Sequence, residues 1–353
     1  MLIFGAVSTS TMAEKYFIQQ YLGQHYQHGG AGLVDAERIL LNEGYRPLVL
    51  PHQQSFSWLA KGSRLFSLFK IVLRVRKGAD IVFLYPGYAR LAQLLVRLLL
   101  RYRKDTRLIC FLTDIDGIKD GDDGKLKKEI SFFKRLKYFI VHNERMKQWL
   151  NENVGGVQSV ETDFFDFLAS PSVQPRTISP NIVFAGNLSK SQFLEQMGLI
   201  QQEQPDLHFD IYGPHQTLEM LAQPNLSWHG VDDPYGLPQK LKGSFGLLWD
   251  GTSIRGMDGS IGRYMKYISH HKLSLYILSG LPIIVPAASA GEYLVKKYKI
   301  GVAVNNISGI EEAINALSED QYQQMRKNMQ PLAKKISTGG CLKDALQKLL
   351  AGN

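Results

Sequence analysis

Gly262-Arg263-Tyr264-Met265-Lys266-Tyr267-Ile268-Ser269-His270-His271-Lys272-Leu273-Ser274-Leu275-Tyr276-Ile277-Leu278-Ser279-Gly280-Leu281-Pro282-Ile283-Ile284-Val285 reads as a basic, aromatic loop, then a helix, a glycine stop and a buried strand. Arg263, Lys266 and Lys272 fall just before or at the helix start. The first turn of a helix leaves backbone amides unpaired and carries the positive end of its dipole, so a pyrophosphate suits that place doubly. A basic surface loop would give the same residues, so the segment needs support from its surroundings.

That support comes from the segments upstream. Asn181–Ala185, His208–Tyr212, Leu226–His229, Phe245–Trp249 and Pro282–Val285 are short, apolar and rich in β-formers. The first three run into glycine turns: Gly186-Asn187-Leu188-Ser189-Lys190, Gly213-Pro214 and Gly230. Glycine permits a turn or a close backbone approach to a flat ligand. Ser189 would cap a helix whose amides attract anions, with Lys190 at the same mouth.

Alternation also marks the first half. Candidate strands are Arg46–Leu50, Ile81–Tyr85, Arg107–Leu112 and Tyr138–His142, with helical patterns at Gly32–Glu43 and Gly124–Leu136. Strands alternating with helices give parallel α/β sheets. Residues 170–180 hold three prolines and three serines and read as an exposed linker. The expected fold is therefore α/β, with two doubly wound domains, 1–169 and 181–335, facing one cleft. Residues 336–353 form a last helix that packs back on the first domain. In such sheets ligands bind beyond the carboxyl ends of the strands.

Composition sets the outer limits. The 353 residues are 44% hydrophobic and 21% charged, which suits a globular protein with substantial cores. No run is apolar for long enough to cross a bilayer, and the first residues lack the basic start of a leader peptide. Two cysteines, Cys110 and Cys341, make neither a disulfide framework nor a cysteine-rich metal site. The expected location is the cytoplasm. Net charge is 41 − 32, or +9, and about 12 basic against 2 acidic residues fall between Lys61 and Cys110. They surround the apolar run Leu91–Leu100. Two readings stand: an ordinary buried helix with basic ends, or a peripheral contact with the inner face of a membrane. Nucleic acid is not an expected partner, because the basic residues lack aromatic interleaving or a recognised motif.

Candidate chemistry sits at strand ends. Asp114 and Asp116 follow the strand Leu108–Leu112, and His142 ends another. An acceptor hydroxyl needs a base if configuration inverts, and these three are the candidates. Asp-x-Asp-Gly also makes turns well. Gly30 and Gly32, in a glycine loop before a good helix, would let an acceptor approach.

Gly186-Asn187-Leu188-Ser189-Lys190, Tyr212-Gly213-Pro214, Trp228-His229-Gly230, Lys266-Tyr267, His271-Lys272-Leu273-Ser274 and Ser279-Gly280-Leu281-Pro282 together resemble the bacterial glucosyltransferases that extend O-linked GlcNAc on serine-rich adhesins, and the related β-1,6-galactofuranosyltransferases. In the first half the resemblance includes Tyr85-Pro86, Asp114-Ile115-Asp116 and Val141–Met146. It implies a GT-B fold of two Rossmann-like domains and transfer of a hexose from a UDP-sugar to a glycan, with no cofactor and no metal. Such an enzyme serves polysaccharide biosynthesis or protein glycosylation, acts on a glycan, glycoprotein or glycolipid, and sometimes forms homo-oligomers. By the same analogy Gly186, Asn187, Lys190, Tyr212, Gly213, Gly230, Asp250, Arg263, Tyr264, Lys266, Lys272 and Leu273 are donor-binding, and Gly30, Gly32 and Tyr85 are acceptor-binding. One departure stands out. Many retaining GT-B enzymes carry a pair of glutamates around the helix before Gly-Leu-Pro, and here those places hold Tyr267 and Leu275. Asp250 or Asp258 then remains to replace the ribose-binding carboxylate. The departure keeps two other readings open: a silent glycan- or nucleotide-binding partner subunit, and a UDP-sugar epimerase of similar shape.

Overall fold

The computed structural model describes residues 13–22, 30–51, 58–87, 90–188, 191–214 and 224–351. The strands are β1 (Lys15–Gln19), β2 (Arg46–Val49), β3 (Asp80–Tyr85), β4 (Arg107–Leu112), β5 (Tyr138–Val141), β6 (Gln158–Glu161), β7 (Asn181–Ala185), β8 (His208–Tyr212), β9 (Leu226–Trp228), β10 (Phe245–Leu247), β11 (Ile283–Pro286) and β12 (Gly301–Val304). The helices are α1 (Ala31–Asn42), α2 (Trp58–Arg74), α3 (Arg90–Tyr102), α4 (Asp116–Asp120), α5 (Asp123–Phe133), α6 (Glu144–Asn153), α7 (Met197–Glu203), α8 (Gly259–Tyr264), α9 (His271–Ser279), α10 (Ala290–Tyr298), α11 (Ile310–Asn315), α12 (Glu319–Ser337) and α13 (Gly340–Ala351).

Among the described residues the strands form two six-stranded parallel sheets, in the orders β2-β1-β3-β4-β5-β6 and β12-β11-β10-β7-β8-β9. Side-chain alternation explains the layers. In the first sheet Ile18, Ile81, Phe83, Cys110 and Phe139 face one core with α2, α3, α5 and α6. The alternate residues Phe17, Val82, Ile109, Phe111 and Ile140 face α1 and α13. In the second sheet Phe184, Phe209 and Leu247 pack against α7 and α11, while Val183, Ala185 and Val285 pack against α9, α10 and α12.

The last helix leaves the second sheet and covers the first. Leu342, Ala345, Leu346 and Leu349 of α13 are buried against Phe17, Val82 and Phe111. Asp166 fixes its start, accepting from the amides of Cys341 (2.9 Å) and Leu342 (2.7 Å). Burial pushes the Asp166 carboxyl up to about 7, against the pull of those amides. Asp166→Ala leaves two buried donors unpaired, each worth about 1–3 kcal/mol. A Tm several degrees below wild type is the expected result, with Asp166→Asn in between because one oxygen still accepts.

Residues 170–180 carry no helix or strand and are mostly exposed, with Val173 93% exposed, and one side chain anchors them. Arg176 is buried, and its guanidinium donates to the carbonyls of Gly243 (2.6 Å), Leu241 (2.7 Å) and Ser279 (3.3 Å). The three prolines prevent regular structure, but the segment is pinned along the second sheet's helices.

Candidate functional site

The turns after β7 and β8 stand side by side. The Gly186 amide donates to the Tyr212 carbonyl (3.0 Å), and the Gly213 amide to the Gly230 carbonyl (2.8 Å). All three glycines have positive φ, at +156°, +138° and +79°. A Cβ on Gly186 would lie 2.7 Å from Cε of Lys272, so its glycine makes room for the lysine stem. Lys272 rises from the first turn of α9. These elements wall a cavity of about 360 Å³ with Asn187, Pro214, Asp232, Leu237, His270 and His271, and it is closed from the first half of the chain by Ala31 and Phe167. It is therefore a cavity between the two domains.

Asp250, just after β10, organises the cationic wall. Its carboxylate lies 3.0 Å from Lys272 Nζ and 3.1 Å from His270 Nε2, and accepts from Ser191 Oγ at 3.4 Å. Burial pushes this carboxyl up, but Lys272 and His270 together outweigh burial and hold it well below the usual carboxylate range. The lysine ammonium also sits 4.3 Å from the Phe184 ring centroid. Asp250 thus positions Lys272 and orients His270.

Next to the cavity is a buried histidine cluster. His142 Nδ1 accepts from the Ser269 amide (3.3 Å), and its Nε2 has no partner among the described residues. Burial, with His270 nearby, pushes His142 down to about 3. His271 packs on Phe167 with ring centroids 4.6 Å apart, and burial pushes it down to about 4. Both rings are neutral at neutral pH. Asn143 ties the cluster across the domain boundary, its Nδ2 donating to Tyr267 O and Ser269 Oγ, both at 2.9 Å.

Of the donor residues expected from sequence, Gly186, Asn187, Tyr212, Gly213 and Lys272 line this cavity. Gly230 and Asp250 stand directly behind it. Four others are elsewhere. Tyr264 is buried in the core of the first domain, where its hydroxyl accepts from the Ile115 amide at 2.7 Å. Leu273 is buried under the second sheet, and its amide is taken by the His270 carbonyl. Lys266 is exposed in a groove with Arg145, Gln148 and Trp149 of α6. Arg263 is exposed on α8. The reason is the short helix α8, which turns the loop toward the first domain before α9 returns to the cavity. Lys190 lies outside the described residues.

The acceptor-side expectations also shift. Asp116 is clamped by Lys119 (2.6 Å) and Lys125 (3.0 Å), and Asp114 pairs with Lys119 (2.9 Å), at the place where α4 meets α8. Asp114, Asp116 and His142 do not line the cavity. Gly32 serves packing: a Cβ there would come within 2.6 Å of the His271 ring. Gly30 sits at the α1 N-terminus as its cap residue. Tyr85 belongs to a second cavity of about 260 Å³ inside the first domain, with Gln20, Gln93, Arg97, Lys128 and Glu129. Its hydroxyl donates to Glu129 at 3.2 Å.

Sequence reasoning left out His270, His271, Phe167 and Asp232 as site residues. The adjacent histidines preceding Lys272 were the available signal, since residues at a helix start share its mouth. Chemically, the wall offers an ammonium and a helix N-terminus to an anion. It also offers an imidazole oriented by a carboxylate, with Nδ1 unpartnered among the described residues.

Two parallel six-stranded sheets joined across such a cavity are the GT-B arrangement. The fold agrees with solved structures: sucrose-phosphate synthase from Thermosynechococcus elongatus (TM-score 0.64, 12% identity, covering 97% of this chain and 100% of that one) and Anabaena HepE in complex with UDP and glucose (TM-score 0.61, 14% identity, covering 96% and 99%). The model of the N-terminal domain of the glucosyltransferase 3-like family matches residues 15–161, that of its C-terminal domain matches 182–349, and the chain belongs to this family. Curated relatives are the β-1,6-galactofuranosyltransferase WbbI of Escherichia coli K12, 26% identical over 69% of this chain and 71% of the relative, and glucosyltransferase 3 of Streptococcus parasanguinis, 21% identical over 82% and 84%.

Proposed function

We propose that this glycosyltransferase moves a hexose, galactofuranose or glucose, from a UDP-sugar to a hydroxyl of a glycan acceptor, without a metal ion. One observation carries the reading: Lys272, on the first turn of α9, forms the wall of the interdomain cavity beside the Gly186 and Gly213 turns. The second domain holds the donor, with the base against those turns and the diphosphate against Lys272. As the glycosidic bond breaks, charge grows on the diphosphate, and the ammonium with the α9 amides stabilises it. His270, oriented by Asp250, is the lining side chain best placed to take the acceptor's proton. The two relatives, a galactofuranosyltransferase and a glucosyltransferase, support galactofuranose or glucose, and the UDP and glucose held by HepE support the donor class.

A panel of UDP-sugars, each with and without simple glycan acceptors, tests the proposal by release of UDP. The expected result is acceptor-dependent release from UDP-galactofuranose or UDP-glucose, at the same rate with EDTA present. Loss of turnover in EDTA sinks the metal-independent part, and turnover of another nucleotide-sugar alone sinks the donor. Tyr267 and Leu275 in the places of the usual glutamates favour one second reading. UDP binding with no turnover of any sugar would support a nucleotide-binding partner subunit.

A further inference from the structure

We infer that the outer face of α2, with the last turn of α3, seats on an anionic lipid surface. Helix α2 buries Leu68 and Val72 in the core of the first domain and turns its other side outward. On that side Leu65 is 43% exposed, Phe66 62% and Leu73 74%, and Tyr102 of α3 adds a ring that is 57% exposed. Four of the ten large apolar side chains exposed among the described residues thus fall on two helices in contact, so they form a patch and not a scatter. Tyr102 lies 5.7 Å from Phe69 of α2, centroid to centroid. Arg103 secures the pair, donating to the carbonyls of Val72 (2.9 Å) and Leu73 (2.8 Å).

The patch is ringed by positive charge. Lys70 lies 4.6 Å from the Phe66 ring centroid. Arg74 and Lys77 follow on or after α2, while Arg76 pairs with Glu14 at 3.0 Å, and Arg101, Arg103 and Lys104 lie at or just past the end of α3. Between residues 58 and 107 the acids are Asp80, which is buried and paired with Arg107 at 2.7 Å, and Asp105, exposed in the turn after α3. Apolar side chains that enter the headgroup boundary, flanked by cations that meet lipid phosphates, are the pattern of an interfacial helix. A second copy of the chain on this face would bring two cationic rims together, which like-charge repulsion opposes. No helix of the described residues is long and apolar enough to cross a membrane, so the contact lies on the surface.

The apolar run of α3 noted in the sequence is not this surface. Ala92, Leu95, Val96 and Leu99 face the core, and the lipid-facing stripe belongs to α2. The second cavity opens between α3 and α5 in the same helical layer, where Arg97 and Lys128 extend the cationic surface toward Lys127 and Arg135.

Co-sedimentation of the full chain with vesicles tests the inference. The expected result is binding to phosphatidylcholine vesicles containing phosphatidylglycerol, weak binding to phosphatidylcholine alone, and release by salt. The pair of changes Phe66→Ser and Leu73→Ser lowers partitioning about tenfold or more, because each removes an apolar side chain from the contact. An unchanged Tm and unchanged UDP affinity show that the variant is folded. No binding of the wild-type chain to anionic vesicles, or equal binding of the double variant, overturns the inference. So does a wild-type dimer in solution that the two changes dissociate.

Discussion

Lys272→Ala is expected to weaken UDP binding about tenfold to a hundredfold, measured by titration calorimetry, because a charge-assisted hydrogen bond to a phosphate contributes about 1.5–3 kcal/mol and each 1.4 kcal/mol is tenfold. Lys272 is the one lysine or arginine among the described cavity-lining residues. The same change also destabilises the fold. It leaves Asp250 buried with His270 as its remaining partner, and breaking a buried ion pair costs about 3–5 kcal/mol. The sign follows from the depressed carboxyl of Asp250. Its stabilising contribution is full above the carboxyl's unfolded pKa and is lost as pH falls through its folded one. Removing Lys272 raises the folded pKa, so part of that contribution disappears at neutral pH. A double variant separates the two effects: Asp250→Asn added to Lys272→Ala removes the orphaned charge and recovers Tm, but not UDP affinity. Lys266→Ala is the control, since Lys266 faces α6, and its affinity stays within about twofold of wild type. If Lys266→Ala lost UDP and Lys272→Ala kept it, the phosphate site would be at the α6 groove and not in the cavity.

The contrast between Lys266 and Lys272 shows what the sequence discloses. Buried parallel strands announce themselves as continuous apolar runs, and β4, β7 and β8 occupy the ranges read from sequence. The strands that were missed include two at sheet edges. Gln158–Glu161 (β6) is polar, and Gly301–Val304 (β12) is built of small residues, so neither carries a long apolar run. β1, Lys15–Gln19, lies inside the sheet, but its buried core is three residues, Tyr16–Ile18, between polar Lys15 and Gln19. The glycine turns were legible because positive φ and close backbone contact demand glycine. The charged residues were not, because basicity carries no direction. Arg263, Lys266 and Lys272 look equivalent in the chain, and only the turn of α8 separates them. Tyr264 shows the same effect: the resemblance implied a donor-binding residue, yet it is buried in the other domain's core. The roles of the histidines were illegible for the opposite reason, although His142 itself was a candidate. His142 and His271 gain their meaning from Phe165, Phe167 and Gly32, which lie far away in sequence.

Gly213→Ala is expected to lower both stability and binding. Its φ of +138° is a conformation that L side chains rarely adopt, and forcing it costs about 1–3 kcal/mol. The added Cβ would also overlap the Gly186 carbonyl oxygen. Both partners are backbone, so no side chain can rotate out of the way, and the β7 and β8 turns must separate. Separation strains the bonds from Gly186 to Tyr212 and from Gly213 to Gly230, which hold the cavity wall together. A loss of about 3–5 kcal/mol in stability follows from a clash of this kind. UDP affinity falls with it, because the displaced wall includes Asn187 and the backbone beside Lys272. Gly230→Ala calibrates the result. Gly230 has φ +79°, and a Cβ there meets Trp228 at 3.9 Å, an ordinary contact. Its cost is therefore the left-handed backbone alone, about 1–2 kcal/mol. Thermal unfolding and UDP titration of the two variants should rank Gly213→Ala well below Gly230→Ala on both measures. Equal effects would mean that the two turns are not in contact, and the nucleotide wall would have to be built from other residues.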